Sequence, residues 1–334
     1  MKTSNHLLRR LTAALLAAVL ALSIALPVFA SDDGDTIYIN SVSDLLSLAR
    51  SCAYDQWSVG KTVILQKDLS LEGMLWEPIP SFSGQFKGNG HTISDLTITG
   101  QYSPAGLFGI VEEQGSIESL SVRGIVSVSD SADTTTGGIV GINHGTLINC
   151  QFTGVVTGDS EVGGIVGRNE SEGTIDHSTA RAIVTGKSST GGIAGYNLGA
   201  ITGCTNVGAV NSEYQESALD MEGLPATLLE LVKKDMGDDL SNNISNVSSD
   251  TGGIAGRSSG LILSSANAGD VGYAHVGYNV GGIVGRTDGL ISGCVNQGLV
   301  QGRKDVGGIA GQAEPYVELD LDQSTINRLR TELD

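Results

Sequence analysis

Gly137-Gly138-Ile139-Val140-Gly141 is a motif that this chain repeats, with valine or alanine at its fourth position. Further copies begin at Gly163, Gly191, Gly252, Gly281 and Gly307, and a looser copy, Ala-Gly-Leu-Phe-Gly, occupies residues 105–109. The first glycines of the six copies are 26, 28, 61, 29 and 26 residues apart. A fixed period of this size is typical of stacked repeat proteins, in which each unit buries its apolar face against its neighbours.

The units are patterned as β-strands. The third motif position is isoleucine in all six copies, and another column is valine in six units: Val126, Val156, Val184, Val210, Val271 and Val300. Columns of one β-branched residue fit strands that pack against their own copies above and below. The chain has 47 glycines for sharp corners and only six prolines, which would remove ladder hydrogen bonds. The pattern predicts an all-β parallel β-solenoid of about seven to eight coils.

Residues 1–30 have the pattern of a secretory signal peptide. A basic segment with Lys2, Arg9 and Arg10 precedes an apolar run, and residues 28–30 (Val-Phe-Ala) form a small-x-small cleavage site. We therefore expect a secreted or cell-surface protein with no membrane insertion after signal cleavage.

Three segments outside the repeats favour helices. Residues 41–52 form a short amphipathic pattern that we expect to cap the first coil, because solenoid ends need covering. The spacing of 61 residues indicates an insertion, roughly residues 213–250, with a helix near residues 225–236. A last helical segment occupies residues 317–334, and its pattern, still amphipathic at the last residue, suggests a truncated chain. The predicted domains are a cap with the first coils over 31–104 and the repeats over 105–316.

The repeat resembles a known family. Gly-Gly-Ile-Val-Gly followed by Asn-x-Gly, and the second half Cys-x-Asn-x-Gly-x-Val seen at residues 204–210, are similar to the GLUG motif of bacterial surface proteins. Residues 69–79, 82–93 and 106–109 resemble the segment that leads into such repeats. The resemblance implies a right-handed β-helix-like, adhesin-like module, comparable to the non-catalytic repeat region of IgA-cleaving metallopeptidases. It implies no activity for the module itself.

Cysteine spacing argues against disulfides. Cys150, Cys204 and Cys294 share one column, but Ser178 and Ser265 occupy the coils between them. Neighbouring cysteines would then be two coils apart, about 9.6 Å, whereas a disulfide needs Cα atoms within about 7 Å. We predict three unpaired thiols in an interior column, and Cys52 in the cap helix also lacks an evident partner.

Motifs for catalysis or metal binding are missing from the sequence. There is no His-Glu-x-x-His zinc motif, no phosphate-binding loop, and no Gly-x-Ser-x-Gly nucleophile motif placed between a strand and a helix. The four histidines beyond residue 30 have no partner at ligand spacing. We predict no catalytic residue, no cofactor and no metal site.

Two columns next to the motif are candidates for recognition or for stacking. Five positions after the first glycine stand Ile142, Arg168, Tyr196, Arg257, Arg286 and Gln312, and the next position gives Asn143, Asn169, Asn197, Ser258, Thr287 and Ala313. The asparagines favour a buried amide ladder that stabilises stacking. The candidate recognition residues are Arg168, Tyr196, Arg257 and Arg286, which either meet anionic glycans or lie on a solvated face.

The net charge of the chain argues against some classes of binding partner. The net charge is −18, and it becomes −21 without residues 1–30, which hold three basic and no acidic residues. This argues against nucleic acid and anionic membranes. The sequence favours a structural or adhesive module that is not an enzyme and whose partner is a host or cell-wall glycan or glycoprotein. The alternatives are a β-helix enzyme acting on polysaccharide and an accessory domain of a larger secreted protease.

Overall fold

The computed structural model describes residues 35–54, 56–128, 134–212 and 248–314. These residues form a parallel β-solenoid of about eight turns with one short helix, as the repeat predicts. The predicted signal peptide, the helix within the insertion and the C-terminal helical segment lie outside the described residues. In the described part of the chain, no helix is long and apolar enough to cross a membrane.

The chain visits four parallel sheets in a fixed order, which we number 1 to 4 along one repeat unit. Sheet 1 has six strands: Thr136–Gly137, Ser160–Gly163, Ser188–Gly191, Ser249–Gly252, Tyr278–Gly281 and Lys304–Gly307. Sheet 2 has eight strands: Ile79–Phe82, Phe108–Val111, Val140–Asn143, Val166–Asn169, Ala194–Asn197, Ala255–Ser258, Val284–Thr287 and Ala310–Ala313.

Sheets 3 and 4 complete each coil. Sheet 3 has nine strands: Thr36–Ile39, Thr62–Leu65, Gln85–Lys87, Ser116–Glu118, Thr146–Ile148, Thr174–Asp176, Ala200–Thr202, Leu261–Leu263 and Leu290–Ser292. Sheet 4 has eight strands: Leu69–Ser70, Thr92–Gly100, Ser121–Val128, Gln151–Thr157, Thr179–Thr185, Thr205–Asn206, Ala266–Asn267 and Val295–Asn296.

The predicted β-branched columns are the core. The motif isoleucines of the first five copies are fully buried, and so are five of the six column valines. The valines stack directly, with bridges from Val184 to Val210, from Val210 to Val271 and from Val271 to Val300. Phe82, Phe86 and Phe108 form an aromatic cluster in the first coils, with two edge-to-face pairs and one tilted pair. Each coil is therefore held by the same apolar residue in the coils above and below it.

The second motif glycine is required by the approach of the next coil. A Cβ built on Gly253 would overlap the carbonyl oxygen of Gly282 and the side chain of Asn267. The sheet 1 to sheet 2 corner is therefore closed by backbone contact between coils, and a side chain at this position has no space.

The helix α1, Val42–Ser51, covers the first coil as predicted. Leu45 and Leu48 are buried against the core, and the Ser41 hydroxyl caps the helix by accepting from the Asp44 amide at 3.2 Å. The Asp44 carboxylate accepts from the Asn40 amide, and that hydrogen bond is the largest cause that lowers the pKa of this carboxyl. The first turn of the helix is thus held by two hydrogen bonds of Asp44, one donated by its amide and one accepted by its carboxylate.

Candidate functional site

The four candidate recognition residues form one outward column on sheet 2. The register pairs Arg168 with Tyr196, Tyr196 with Arg257 and Arg257 with Arg286. All four side chains are half-buried. The structure therefore brings together residues that are far apart in the sequence, one from each of four successive coils.

Arg168 is neutralised within the chain. Its Nη1 lies 2.8 Å from Oε1 of Glu161 and its Nε lies 2.7 Å from Oε1 of Glu170. Partial burial lowers the pKa of Arg168, but the two glutamates raise it by more, so the net direction is upward. Glu161 has a left-handed backbone, with φ of 50°, as Asp250 has at the equivalent position of its coil. The Arg168 guanidinium thus offers little uncompensated charge to a ligand.

Tyr196 lies between two guanidinium groups. The Cζ of Arg168 is 5.1 Å from the centre of its ring, and the Cζ of Arg257 is 5.3 Å from the same centre on the other coil. Each cation over a tyrosine face contributes about 0.5–1 kcal/mol at a partly exposed site. Because guanidinium groups from the preceding and the following coil both lie over this ring, it is already engaged by cations and is a poor platform for a sugar.

Arg257 differs from its neighbours in the column. Among the described residues, no carboxylate lies within salt-bridge distance of its guanidinium, which lies over the ring of Tyr196. Asp250 precedes Arg257 by seven residues, as Glu161 precedes Arg168. Its side chain is shorter by one methylene, and its Oδ1 accepts from Asn279 Nδ2 at 2.7 Å. Arg257 is thus the arginine of the column whose charge is least compensated.

Arg286 pairs with Glu314 through one nitrogen. Its Nη2 donates to both carboxylate oxygens of Glu314, at 2.8 and 2.7 Å. That hydrogen bonding raises the pKa of Arg286 despite the opposing effect of burial. The pair holds the Glu314 side chain against the outer surface of sheet 2, one coil before its own strand.

The asparagine column is a buried amide ladder, as predicted. Asn143 Nδ2 donates to Asn169 Oδ1 at 2.8 Å, Asn169 Nδ2 to Asn197 Oδ1 at 2.8 Å, and Asn197 Nδ2 to Ser258 Oγ at 3.0 Å. The three asparagines have no exposed surface. This column therefore stabilises stacking and is closed to ligands.

The structure contains a second amide ladder that the sequence analysis did not predict. In sheet 4, Asn206 donates to Asn267 and Asn267 donates to Asn296, each at 2.8 Å. Each of the three also accepts from the amide two residues later, as Asn206 does from Gly208. The Asn-x-Gly spacing in the second half of the repeat was the available signal, because such asparagines turn the chain with their own side chains.

The cysteine column is interior and unpaired, as predicted, and all four cysteines are free. The amide of Cys150 donates to Ser178 Oγ at 3.1 Å, and the amide of Cys204 donates to Ser265 Oγ at 3.2 Å. Serine and cysteine thus alternate along one column. Burial raises the pKa of the Cys150 and Cys204 thiols to about 12.

Histidines and carboxylates do not converge on a metal site in the described part of the chain. His91 lies 3.0 Å from Asp68, and His177 lies 2.8 Å from Asp176, each as a surface pair. An open groove of about 480 Å³ lies at the first coils, beside Ser81 and Glu112, away from the arginine column. Ser81 Oγ donates to Glu112 Oε1 at 2.7 Å there.

No protein-family model matches the chain. It is 32% identical over 155 residues to "Halomucin" of Haloquadratum walsbyi, which covers 42% of this chain and 2% of that protein. It is 29% identical over 137 residues to a "Putative Gly-rich membrane protein" of Evansella cellulosilytica, covering 30% of this chain and 16% of that protein. The chain therefore spans only a small part of these distant relatives, and its resemblance to GLUG repeats stays a prediction.

The fold is shared with a solved structure. A "putative immunoglobulin A1 protease" from Bacteroides ovatus superposes with a TM-score of 0.51 at 18% identity, over 84% of each chain. At that identity the similarity establishes the β-solenoid fold and nothing about activity.

Proposed function

We propose that this chain is a secreted or cell-surface β-solenoid module of GLUG type, with a structural and adhesive role and no catalytic activity of its own. The stacked coils form a rigid scaffold, because interior columns hold each coil to the next. Adhesion is assigned to the outward column of sheet 2, and the ligand to an anionic glycan or glycoprotein of a host or a cell wall.

The observation that supports the adhesive role is the environment of Arg257. Its guanidinium is half-buried, held by the ring of Tyr196, and without a carboxylate partner among the described residues. A guanidinium held in one orientation binds carboxylate or sulfate groups with two parallel hydrogen bonds. On a chain with net charge −18, such a locally uncompensated cation selects an anion by contact at short range.

The experiment is a binding series on immobilised polysaccharides: polygalacturonate for carboxylates, heparin for sulfates and dextran as the neutral reference. We expect the full chain to bind one of the anionic polymers, to bind it less at high salt, and to ignore dextran. Arg257→Gln should weaken binding several-fold. The matched control is Arg181→Gln, since Arg181 is an exposed arginine on sheet 4 and its loss changes net charge equally.

Equal losses in the two variants would show that only overall charge matters and would sink the assignment to Arg257. No binding to any anionic polymer or host glycoprotein would leave a purely structural module. Release of reducing ends from polygalacturonate would instead favour the alternative of a polysaccharide-active enzyme.

An accessory role in a larger secreted protease is a second candidate, favoured by the fold shared with the Bacteroides ovatus structure. Binding of the chain to immobilised immunoglobulin A1, without cleavage, would support it. Cleavage by the isolated chain would contradict the absence of catalytic activity.

A further inference from the structure

The last coil exposes positions that every earlier coil buries. Ile309 is 42% exposed, whereas Ile139, Ile165, Ile193, Ile254 and Ile283 at the same motif position are 0% exposed. Val306 is 44% exposed, whereas Val280 one coil earlier is 1% exposed. The apolar end of the stack is therefore open among the described residues.

The surroundings of the motif glycines also show that this end of the stack is open among the described residues. A Cβ built on Gly282 would overlap the carbonyl oxygen of Gly308 in the next coil, but a Cβ on Gly308 meets no described atom within 4 Å. The last coil thus presents an uncovered stacking surface, which we call the terminal face and define by Val306, Gly308 and Ile309. An apolar cross-section of this kind needs a cover in a soluble solenoid.

The opposite end shows how this protein closes a stack. There α1 lies over the first coil with Leu45 and Leu48 buried against the core. Because that end is covered, a second copy has no free partner surface for head-to-tail stacking.

We propose that residues 317–334 cover the terminal face as an amphipathic helix, with Ile326, Leu329 and Leu333 against Val306 and Ile309. The spacing of three and four residues places these three apolar side chains on one helical face. The inference is independent of the adhesive role proposed above.

Two observations favour residues 317–334 as the cover of the terminal face. Glu314 directly follows the last strand, Ala310–Ala313, and is held there by Arg286 Nη2, so the following residues continue from the last coil. Charge also agrees in sign: residues 317–334 contain five acidic and two basic residues, and the last coil exposes Arg303 beside Lys304 and Asp305, which pair with each other at 3.9 Å. An acidic cover beside Arg303 gains short-range attraction in addition to apolar burial.

Thiol cross-linking in the full chain tests the contact. The background is Cys294→Ser, a change that the column already contains at Ser178 and Ser265. Ile309→Cys is combined with Leu329→Cys, or with Thr331→Cys as the matched control on the opposite helical face. A short bifunctional maleimide is added to each variant, and links are mapped by mass spectrometry in the monomer fraction.

We expect several-fold more intramolecular link between positions 309 and 329 than between 309 and 331. Val306→Cys in place of Ile309→Cys repeats the test in case the first variant misfolds, and circular dichroism checks each fold. Equal yields for the two partners would overturn the proposal. Links found only between two chains, in a dimer fraction, would also overturn it and would assign the terminal face to a second copy.

Discussion

In the interior of the solenoid, the side-chain amide of Asn169 donates to Oδ1 of Asn197 in the next coil at 2.8 Å. Its own Oδ1 accepts from Asn143, and its Nδ2 also donates to the Gly173 carbonyl. Both polar atoms of this fully buried side chain are therefore satisfied, as buried amides require. The ladder specifies coil register, because a shift by one residue would leave each amide without its partner.

Replacing Asn169 with alanine should destabilise the fold by about 3 kcal/mol, since buried partners on two neighbouring coils lose hydrogen bonds. Asn169→Ser should cost less, because Ser258 already serves as a ladder member. Urea unfolding measures both, with Gln151→Ala on the outward face of sheet 4 as a control expected near zero. A loss for Asn169→Ala no larger than for the control would contradict a stabilising ladder.

The motif glycines should differ by position in the stack. Gly253→Ala forces a methyl group onto the Gly282 carbonyl and should cost about 3 kcal/mol or more. Gly308→Ala, the same motif position in the last coil, should change stability by less than about 1 kcal/mol, because no described atom lies within 4 Å. Thermal unfolding of the two variants checks this, and similar losses would show that Gly308 is also covered by backbone.

Interior thiols should make the fold sensitive to alkali. The pKa of Cys150 and Cys204 is raised from 9.0 to about 12 by burial. Above pH 9 the unfolded thiols ionise while the folded ones stay protonated, so their stabilising contribution is full below pH 9 and declines toward pH 12. At pH 10 each thiol then costs on the order of 1 kcal/mol relative to neutral pH.

The measurement is urea unfolding at pH 7.5 and pH 10, comparing the parent with the double variant Cys150→Ser/Cys204→Ser. Other alkaline groups titrate in both proteins, so the difference isolates the thiols. The parent should lose about 2–3 kcal/mol more than the double variant. An equal loss would mean that the two thiols ionise as readily in the folded state as in the unfolded one.

Tyr196 should stabilise the stack through its two arginines. Tyr196→Leu removes the ring between Arg168 and Arg257 and should cost about 1–2 kcal/mol, whereas Tyr196→Phe keeps both cation–π contacts and should be nearly neutral. Chemical unfolding of both variants provides the comparison. If Tyr196→Phe lost as much as Tyr196→Leu, the hydroxyl rather than the ring would carry the effect.

Much of the architecture followed from periodicity. The isoleucine and valine columns predicted the parallel coils, the Ser and Cys alternation predicted free thiols, and the leucines of residues 41–52 predicted the cap. These features share one cause: in a stack of near-identical coils, each residue's neighbours are its own copies, so the sequence period specifies the contacts. The second asparagine ladder was equally periodic, but its Asn-x-Gly spacing was recognised only as part of the motif.

Periodicity did not predict which arginines of the column are paired with carboxylates. Arg168, Arg257 and Arg286 occupy equivalent repeat positions, yet two are held by glutamates and one is not. That difference depends on the longer side chain of Glu161 compared with Asp250, on the hydrogen bond of Asp250 to Asn279, and on the position of Glu314 after the last strand. Periodicity alone predicts which residues stack, because stacking repeats with the chain. Only the tertiary structure shows which charges remain uncompensated, because an ion pair depends on side-chain length and on hydrogen bonds that change from one coil to the next.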